Sequence, residues 1–233
     1  METTKNISET IKIIEDRNNE NLEQKIQMYI DIFWEEPRNE WYQCKWECKE
    51  LYALSKVKSE ELTKCLKCGS DIEPFYEKND LKSKRKSRTE KEGYVWMLSE
   101  TLENNKLVWF IMGWGTNLEK LNSEKLWLDE KKLEQLNRNV KELFPGCNTN
   151  NLFYAADIWV KKEYRSKEKP GMHIASNLYN AREKEVKNKW FAYVIVRTTK
   201  KSDVPYKRYK NKWFKDVFDY NDAQDRVVLI KKI

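Results

Sequence analysis

Histidine and glycine are scarce in this 233-residue chain, which has one histidine, His173, and 6 glycines. A single imidazole excludes a histidine-rich metal site and any mechanism that needs two imidazoles. Long apolar runs are also lacking, since none approaches the roughly 20 residues that cross a bilayer. The polar first ten residues lack the basic stub and apolar core of a secretory signal. We therefore expect a cytoplasmic protein without membrane partners.

Aromatic and charged residues are abundant, with 10 Trp, 12 Tyr and 8 Phe beside a charged fraction of 36%. The rings provide enough buriable surface for a folded chain. We expect one domain over residues 1–233, with residues 1–20 flexible. The balance of 45 Lys+Arg against 38 Asp+Glu gives +7, which favours anionic partners. Because these charges are interleaved, a phosphate-bearing cofactor explains them as well as a nucleic acid does.

Hydrophobic periodicity predicts a mixed α/β fold. A helix is expected over residues 22–36, followed by an insert over 41–78 and a basic run over 81–88 that reads as a mobile loop. A β-hairpin over 93–112 and a helix over 128–143 follow. The rest of the chain reads as strand, helix, strand, helix and two final strands.

Four of the five cysteines form two close pairs, Cys44 with Cys48 and Cys65 with Cys68, separated by sixteen residues. Zinc prefers four thiolates in a tetrahedron, and paired cysteines on short loops supply them. The pattern predicts a zinc site in the 41–78 insert, whereas the alternative is four unrelated thiols. With four protein ligands the ion would be structural, because no coordination position stays open for catalysis.

Four short patches, in order along the chain, together resemble the GNAT acetyltransferase superfamily. They are residues 32–40 (IFWEEPRNE); 156–160 (ADIWV) with Glu163, Tyr164 and Arg165; Arg197 and Thr198 with Ser202, Pro205, Tyr209, Trp213 and Phe214; and 225–229 (DRVVL). The resemblance implies a mixed, mostly antiparallel central sheet flanked by helices. It also implies an acetyl-CoA-dependent N-acetyltransferase in which a primary amine attacks directly within a ternary complex.

A candidate phosphate loop lies at the strand-to-helix junction of residues 161–175. A pyrophosphate needs converging backbone N–H groups and the positive end of a helix dipole. The candidate residues are Arg165, Gly171, Met172, His173, Ile174 and Ala175. The family's R/Q-x-x-G-x-G/A pattern is altered here, because either Pro170 replaces the Arg or Gln, or Arg165 keeps that role in a loop about five residues longer. The alternative is an ordinary helix start with solvated charges.

The resemblance also suggests roles in catalysis and cofactor binding. Asp157 matches a strand carboxylate that deprotonates the amine through water, although a strand-end aspartate bonded to local N–H groups is equally consistent with the sequence. Tyr209 matches a tyrosine that protonates the leaving thiolate, and the alternative is one more aromatic residue among 12 tyrosines. Ser202 stands where the family has an asparagine that contacts the cofactor. The backbone of Ile158, Trp159 and Val160 would pair with the pantetheine amides.

A second interpretation is a non-catalytic GNAT-like fold that binds nucleic acid or protein through the zinc insert, the basic run and the aromatic residues. We favour the enzyme over the nucleic-acid binder. The sequence identifies neither the amine acceptor nor an oligomeric state.

Overall fold

The computed structural model describes residues 11–15, 22–34, 42–46, 48, 50–75, 77–101, 107–160, 171–201 and 203–233. Its strands are β1 (Ile11–Glu15), β2 (Tyr42–Cys44), β3 (Leu51–Tyr52), β4 (Ile72–Pro74), β5 (Val95–Thr101), β6 (Leu107–Thr116), β7 (Leu152–Val160), β8 (Tyr193–Thr199), β9 (Lys215–Asp219) and β10 (Arg226–Lys232). Its helices are α1 (Leu22–Trp34), α2 (Leu54–Ser59), α3 (Lys78–Thr89), α4 (Leu118–Leu121), a π-helix (Asn122–Leu126), α5 (Glu130–Leu143), α6 (Gly171–Asn188) and α7 (Asp203–Asn211).

Seven strands form one sheet in the order β1-β5-β6-β7-β8-β10-β9. Every neighbouring pair is antiparallel except β7 and β8, which run parallel. The expectation of a mixed, mostly antiparallel sheet with flanking helices is confirmed. None of the described helices is both long and apolar enough to span a bilayer.

Strand alternation divides the side chains of the sheet between two cores, as the pleat requires. On the first face, Val194 and Val196 of β8 belong to a cluster that includes Leu178 of α6 and Tyr209 of α7. On the second face, the core extends to α5. It contains Trp114, Leu136, Val140, Leu152, Tyr154, Tyr193, Ile195, Val228 and Ile230. The sheet is therefore covered on both faces, by α6 and α7 on the first and by α5 on the second.

The structure differs from two expectations about mobile segments, and from the first of them at residues 11–15. Residues 11–15 of the N-terminal segment form β1, which pairs with β5 from Ile11↔Thr101 to Glu15↔Met97. The basic run lies in α3, because Lys and Arg are good helix formers and Leu81 packs against Ile26 and Ile30 of α1. One apolar residue in contact with α1 thus anchors a segment that has no apolar stripe of its own.

The cysteine-rich segment forms a separate three-stranded sheet in the order β3-β2-β4. Its strands have only two or three residues each. Its small core contains Cys44, Cys65 and Tyr52, which is 4% exposed. Strands this short do not form a stable sheet by hydrogen bonding alone, so this sheet needs further stabilising contacts.

Candidate functional site

The parallel strands β7 and β8 are joined at one short stretch. The ladder contains two residue pairs, Phe153↔Val194 and Tyr154↔Ile195. Beyond Tyr154, β7 continues for six residues to Val160, and within the described residues none of these six pairs with β8. The edge of β7 that faces β8 is therefore open toward its C-terminal end, which is where a ligand backbone can pair with it.

A β-bulge lies at the start of this open edge. Met112 of β6 pairs with Asp157 and Gly113 pairs with Ala155, so Ala156 has no partner in the ladder. A Cβ on Gly113 would lie 2.4 Å from the carbonyl oxygen of Tyr154, so only glycine allows this close approach. Bulges bend a strand and redirect its side chains, and they are frequent beside active sites.

The strand residues expected from the sequence lie along the open edge. Asp157 is the first residue beyond the bulge, and Ile158, Trp159 and Val160 pair with Ile111, Phe110 and Trp109 of β6. Their side chains are outside the described part of the structure. The roles of these residues in cofactor binding and catalysis stay predictions.

Helix α6 begins at Gly171 and contains Met172, His173, Ile174 and Ala175 in its first turns. It is 18 residues long, and the N–H groups of its first turn have no partner within the helix. The side chains of these five residues, and Arg165 with the rest of 161–170, lie outside the described residues. The predicted strand-to-helix junction is present, whereas its contacts with a phosphate stay predictions.

Tyr209 lies on α7 and is 5% exposed in the first-face core. Its ring makes edge-to-face contacts with Tyr179 of α6 at 5.9 Å between centroids and with Phe214 at 5.0 Å. Trp213 adopts φ +69° just after the helix, which is the left-handed region that favours glycine. Ser202 lies outside the described residues.

A buried cation, Arg182, lies beside Tyr179 and Tyr209, and it was not predicted from the sequence. Arg182 of α6 is 2% exposed, and its guanidinium lies 5.0 Å from the Tyr179 ring centroid. Burial raises the pKa of Tyr179 well above its usual value, and the charge of Arg182 opposes this effect. Within the described chain, Arg182 Nε and Nη1 and the Tyr179 hydroxyl have no hydrogen-bond partner. No motif marks a lone arginine on a helix.

The four paired cysteines come together in the small sheet. All four Sγ atoms lie within 4.8 Å of one another. Cys44 Sγ lies 3.4 Å from Cys68 Sγ, and Cys48 Sγ lies 3.5 Å from Cys65 Sγ and 3.4 Å from Cys68 Sγ. With Zn–S bonds of about 2.3 Å, a tetrahedron has S···S edges of about 3.8 Å. The thiol cluster therefore fits a tetrahedral metal ion.

Hydrogen bonds around the cluster favour thiolates at some positions. The Tyr52 hydroxyl lies 3.1 Å from Cys65 Sγ and accepts a bond from the Leu66 N–H at 2.9 Å. The hydrogen bond from Tyr52 lowers the pKa of Cys65 to about 6, whereas burial raises that of Cys44 to about 12. A bound cation would offset the burial of the Cys44 thiolate, so these donors suit a thiophilic metal. Tyr52 was missed because no spacing rule links it to the cysteines.

Comparisons with known proteins connect this geometry to one fold. No family model matches the sequence, and no curated protein matches it. Arabidopsis thaliana NAA60 in complex with a bisubstrate analogue is similar at a TM-score of 0.53 and 14% identity, over 96% of this chain and 98% of that one. The same protein in complex with acetyl-CoA gives 0.50 and 12%, over 96% and 99%.

A GNAT-family acetyltransferase from Staphylococcus aureus is similar at a TM-score of 0.51 and 13% identity, over 96% of this chain and 99% of that one. The C-terminal condensation domain of Ebony, solved with beta-alanyl-dopamine, gives 0.50 and 11%, over 96% and 99%. These likenesses establish the fold. The chain has the fold of the GNAT acetyltransferases, as the sequence patches predicted.

Proposed function

We propose that this protein is an acetyl-CoA-dependent N-acetyltransferase that acetylates a primary amine within a ternary complex. The observation that carries the proposal is the separation of β7 from β8 after two paired residues. Pantetheine is an extended chain with two amide groups, and it can pair with the open edge of β7 as an added strand would. The fold similarity to a protein solved with acetyl-CoA supports this choice of ligand.

The phosphates of the cofactor belong, in this proposal, at the start of α6. Residues 171–175 would direct backbone N–H groups at the pyrophosphate, which the helix dipole favours. Arg165 would add a charge-assisted hydrogen bond, and Ser202 would contact the cofactor from the segment before α7.

The chemistry needs a neutral amine, a stabilised oxyanion and a proton for the thiolate. Asp157 would accept the amine proton through water while the nitrogen attacks the thioester carbonyl carbon. A backbone N–H of residues 158–160 would stabilise the oxyanion. The C–S bond then breaks, and Tyr209 donates its phenolic proton to the thiolate of coenzyme A.

Titration of the purified protein with acetyl-CoA tests the first step. We expect binding near one equivalent per chain, measured by calorimetry, and release of coenzyme A on addition of amines. No binding at millimolar acetyl-CoA would contradict the proposal.

A tyrosine variant tests the assigned acid. Tyr209→Phe is expected to lower kcat by about 100-fold or more with little change in acetyl-CoA affinity, because general acid catalysis contributes that much. The matched control is Tyr206→Phe on the same helix, which loses a 2.8 Å hydrogen bond to Asp216 Oδ2 and should retain kcat. Equal kcat in wild type and Tyr209→Phe would refute the role.

We also propose that Cys44, Cys48, Cys65 and Cys68 hold a structural zinc ion, and that the zinc-bearing sheet shapes the acceptor side. Elemental analysis of protein purified without chelator should give one zinc per chain. A Cys65→Ser variant should lose it, whereas Cys147→Ser, a thiol buried elsewhere in the chain, should keep it. Full retention of acceptor preference after zinc removal would refute the shaping role.

The alternative of a binding module has one supporting observation. Trp46 and Leu66, one on each cysteine loop, are 62% and 58% exposed, which favours a protein partner. Nucleic acid is less favoured, because three lysines of this sheet have acidic partners. The pairs are Lys45 with Glu73, Lys64 with Asp71 and Lys67 with Glu50. Absence of acetyl-CoA binding in the wild type, together with partner binding that Trp46→Ser abolishes, would favour this alternative.

A further inference from the structure

Strand β8 places a cation beside the open edge, on the second face of the sheet. Tyr193 and Ile195 pack into the second-face core, and Val194 and Val196 into the first. Arg197 is next in this alternation, and its contacts with Lys125 and Trp127 confirm the second face. It lies two residues beyond the last residue that pairs with β7.

The guanidinium of Arg197 is fixed in position by the segment between β6 and β7. Its Nη1 donates to the carbonyl oxygen of Lys125, and its Cζ lies 4.9 Å from the centroid of the Trp127 ring. In the part of the chain that the structure describes, no carboxylate forms an ion pair with Arg197. The Tyr220 hydroxyl also contacts this guanidinium. Because a guanidinium has five N–H donors, these contacts leave donors for a carboxylate or phosphate.

Trp127 is held against Arg197 at a cost in backbone conformation. It has φ +53° directly after the π-helix and is 63% exposed. Asn122 fixes this turn, because its carbonyl accepts from the Trp127 N–H at 2.8 Å. Its side chain also bonds the N–H and carbonyl of Leu128 at 2.8 and 3.0 Å. π-helices and left-handed non-glycine residues are frequent at functional sites.

A second arginine on this side is already neutralised. Arg226 Nε lies 2.5 Å from Asp222 Oδ2, and its guanidinium stacks on Tyr220 at 4.7 Å. The Tyr220 hydroxyl donates to the carbonyl of Leu126 at 3.0 Å, which ties the β9–β10 turn to the end of the π-helix. Of these two arginines, Arg197 is therefore the one that lacks an acidic partner among the described residues.

We propose that Arg197, stacked on Trp127, binds an anionic group, a carboxylate or a phosphate, of the amine acceptor. This inference rests on the proposed acetyl transfer. A cofactor whose phosphates lie at α6 and whose thioester lies between β7 and β8 leaves the second face for the amine. An anion held by Arg197 would place the amine at the gap between the strands, and the two N–H groups of the guanidinium edge match two anionic oxygens.

The test compares matched acceptors. ω-Amino carboxylates from glycine to 6-aminohexanoate are assayed beside unbranched alkylamines of the same length, and 2-aminoethyl phosphate represents the phosphate class. We expect the best anionic amine to exceed its neutral counterpart at least tenfold in kcat/KM. The class with the higher kcat/KM, carboxylate or phosphate, identifies the anionic group that Arg197 binds in the acceptor. Equal kcat/KM for anionic and neutral amines would overturn the inference while leaving acetyl transfer intact.

Substitutions assign the preference to the residue. Arg197→Met should raise KM for the anionic amine at least tenfold without changing KM for the neutral one, and Arg197→Lys should be intermediate. Arg138→Met, on the exposed surface of α5, is the matched control and should behave as wild type. If both Arg197 variants fold and still prefer the anionic amine over the neutral one as wild type does, Arg197 is not the residue that binds the anion.

A binding measurement keeps the inference separate from the reaction. Calorimetric titration with glutarate and with inorganic phosphate should show saturable binding of one of them to wild type. Affinity should fall at least tenfold in Arg197→Met and stay unchanged in Arg138→Met. If acetyl-CoA does not bind but the anion binds through Arg197, the proposed function fails and the anion site stands. If neither anion binds, the inference fails.

Discussion

At the scale of single residues, Trp213 holds a backbone position that suits glycine. It has φ +69° and is 78% exposed, so its side chain gains little packing to offset the strain. A left-handed conformation costs an L-residue about 1–2 kcal/mol. Glycine avoids this cost, but part of the gain is cancelled because glycine loses more chain entropy on folding. We expect Trp213→Gly to raise the free energy of unfolding by about 0.5–1 kcal/mol in urea titrations. Trp190, with φ +66° and 87% exposure, should respond in the same direction, and a loss of stability in both variants would contradict the argument.

The buried Arg182 gives a prediction of similar kind. A guanidinium that is 2% exposed with Nε and Nη1 unpartnered in the described chain loses hydration without full compensation. Replacement by methionine, which has a similar length and no charge, should increase the free energy of unfolding by about 1–3 kcal/mol. Arg138→Met on the surface should change it by less than about 0.5 kcal/mol. A decrease of more than about 2 kcal/mol in the free energy of unfolding for Arg182→Met would show that contacts in the folded protein compensate the buried charge.

At the scale of elements, the small β3-β2-β4 sheet should depend on the proposed zinc ion for its stability. Its strands have two or three residues, and its core of Cys44, Cys65 and Tyr52 buries little apolar surface. Because metal binding supplies the folding free energy of such units, chelation should unfold this sheet and leave the seven-stranded sheet intact. Hydrogen exchange should become fast at the amides of Cys44 and Ile72 and stay slow at Ile195. Unchanged protection at Cys44 after removal of zinc would disprove this dependence.

The sequence predicted elements whose patterns are local. The apolar strands β6, β7 and β8 and the periodic helix α5 were predicted because alternation and a 3.6-residue stripe are visible in single segments. The cysteine cluster was predicted from spacing alone, since two close pairs of cysteines are typical of one tetrahedral site.

Features that depend on distant contacts were not predicted. Helix α3 was missed because its anchor, Leu81, depends on contact with α1, and β1 was missed because its partner β5 lies far along the chain. The stack of Arg197 on Trp127 depends on a π-helix and a left-handed tryptophan, which no propensity scale predicts. The candidate acceptor site is therefore the part that required a structure.

At the scale of the whole molecule, acid should weaken the fold through several carboxylates at once. The hydrogen bond from Lys200 lowers the pKa of Asp219, that from Lys64 lowers the pKa of Asp71, and the backbone N–H of Lys132 lowers the pKa of Asp129. A carboxylate whose pKa is lower in the folded state stabilises the fold above its ordinary value of 3.8 and loses that contribution as the pH falls through the folded pKa.

The urea midpoint should accordingly be flat from pH 7 to about 5 and fall continuously toward pH 2.5. The urea midpoint of Asp219→Asn should be lower than that of wild type at pH 7 and should fall less steeply as the pH decreases, because one of the three stabilising carboxylates is already absent. A midpoint that is constant down to pH 3 would refute the linkage.

The two-residue ladder between β7 and β8 divides the large sheet into a four-stranded part, β1-β5-β6-β7, and a three-stranded part, β8-β10-β9. The first-face core contains Val95 from one part and Val227 from the other, and the second-face core contains Trp114 and Val228 in the same way. The two parts are thus held together mainly by side-chain packing in the two cores, and only to a small extent by backbone hydrogen bonds. A small separation of the two parts would therefore break only the hydrogen bonds of this two-residue ladder.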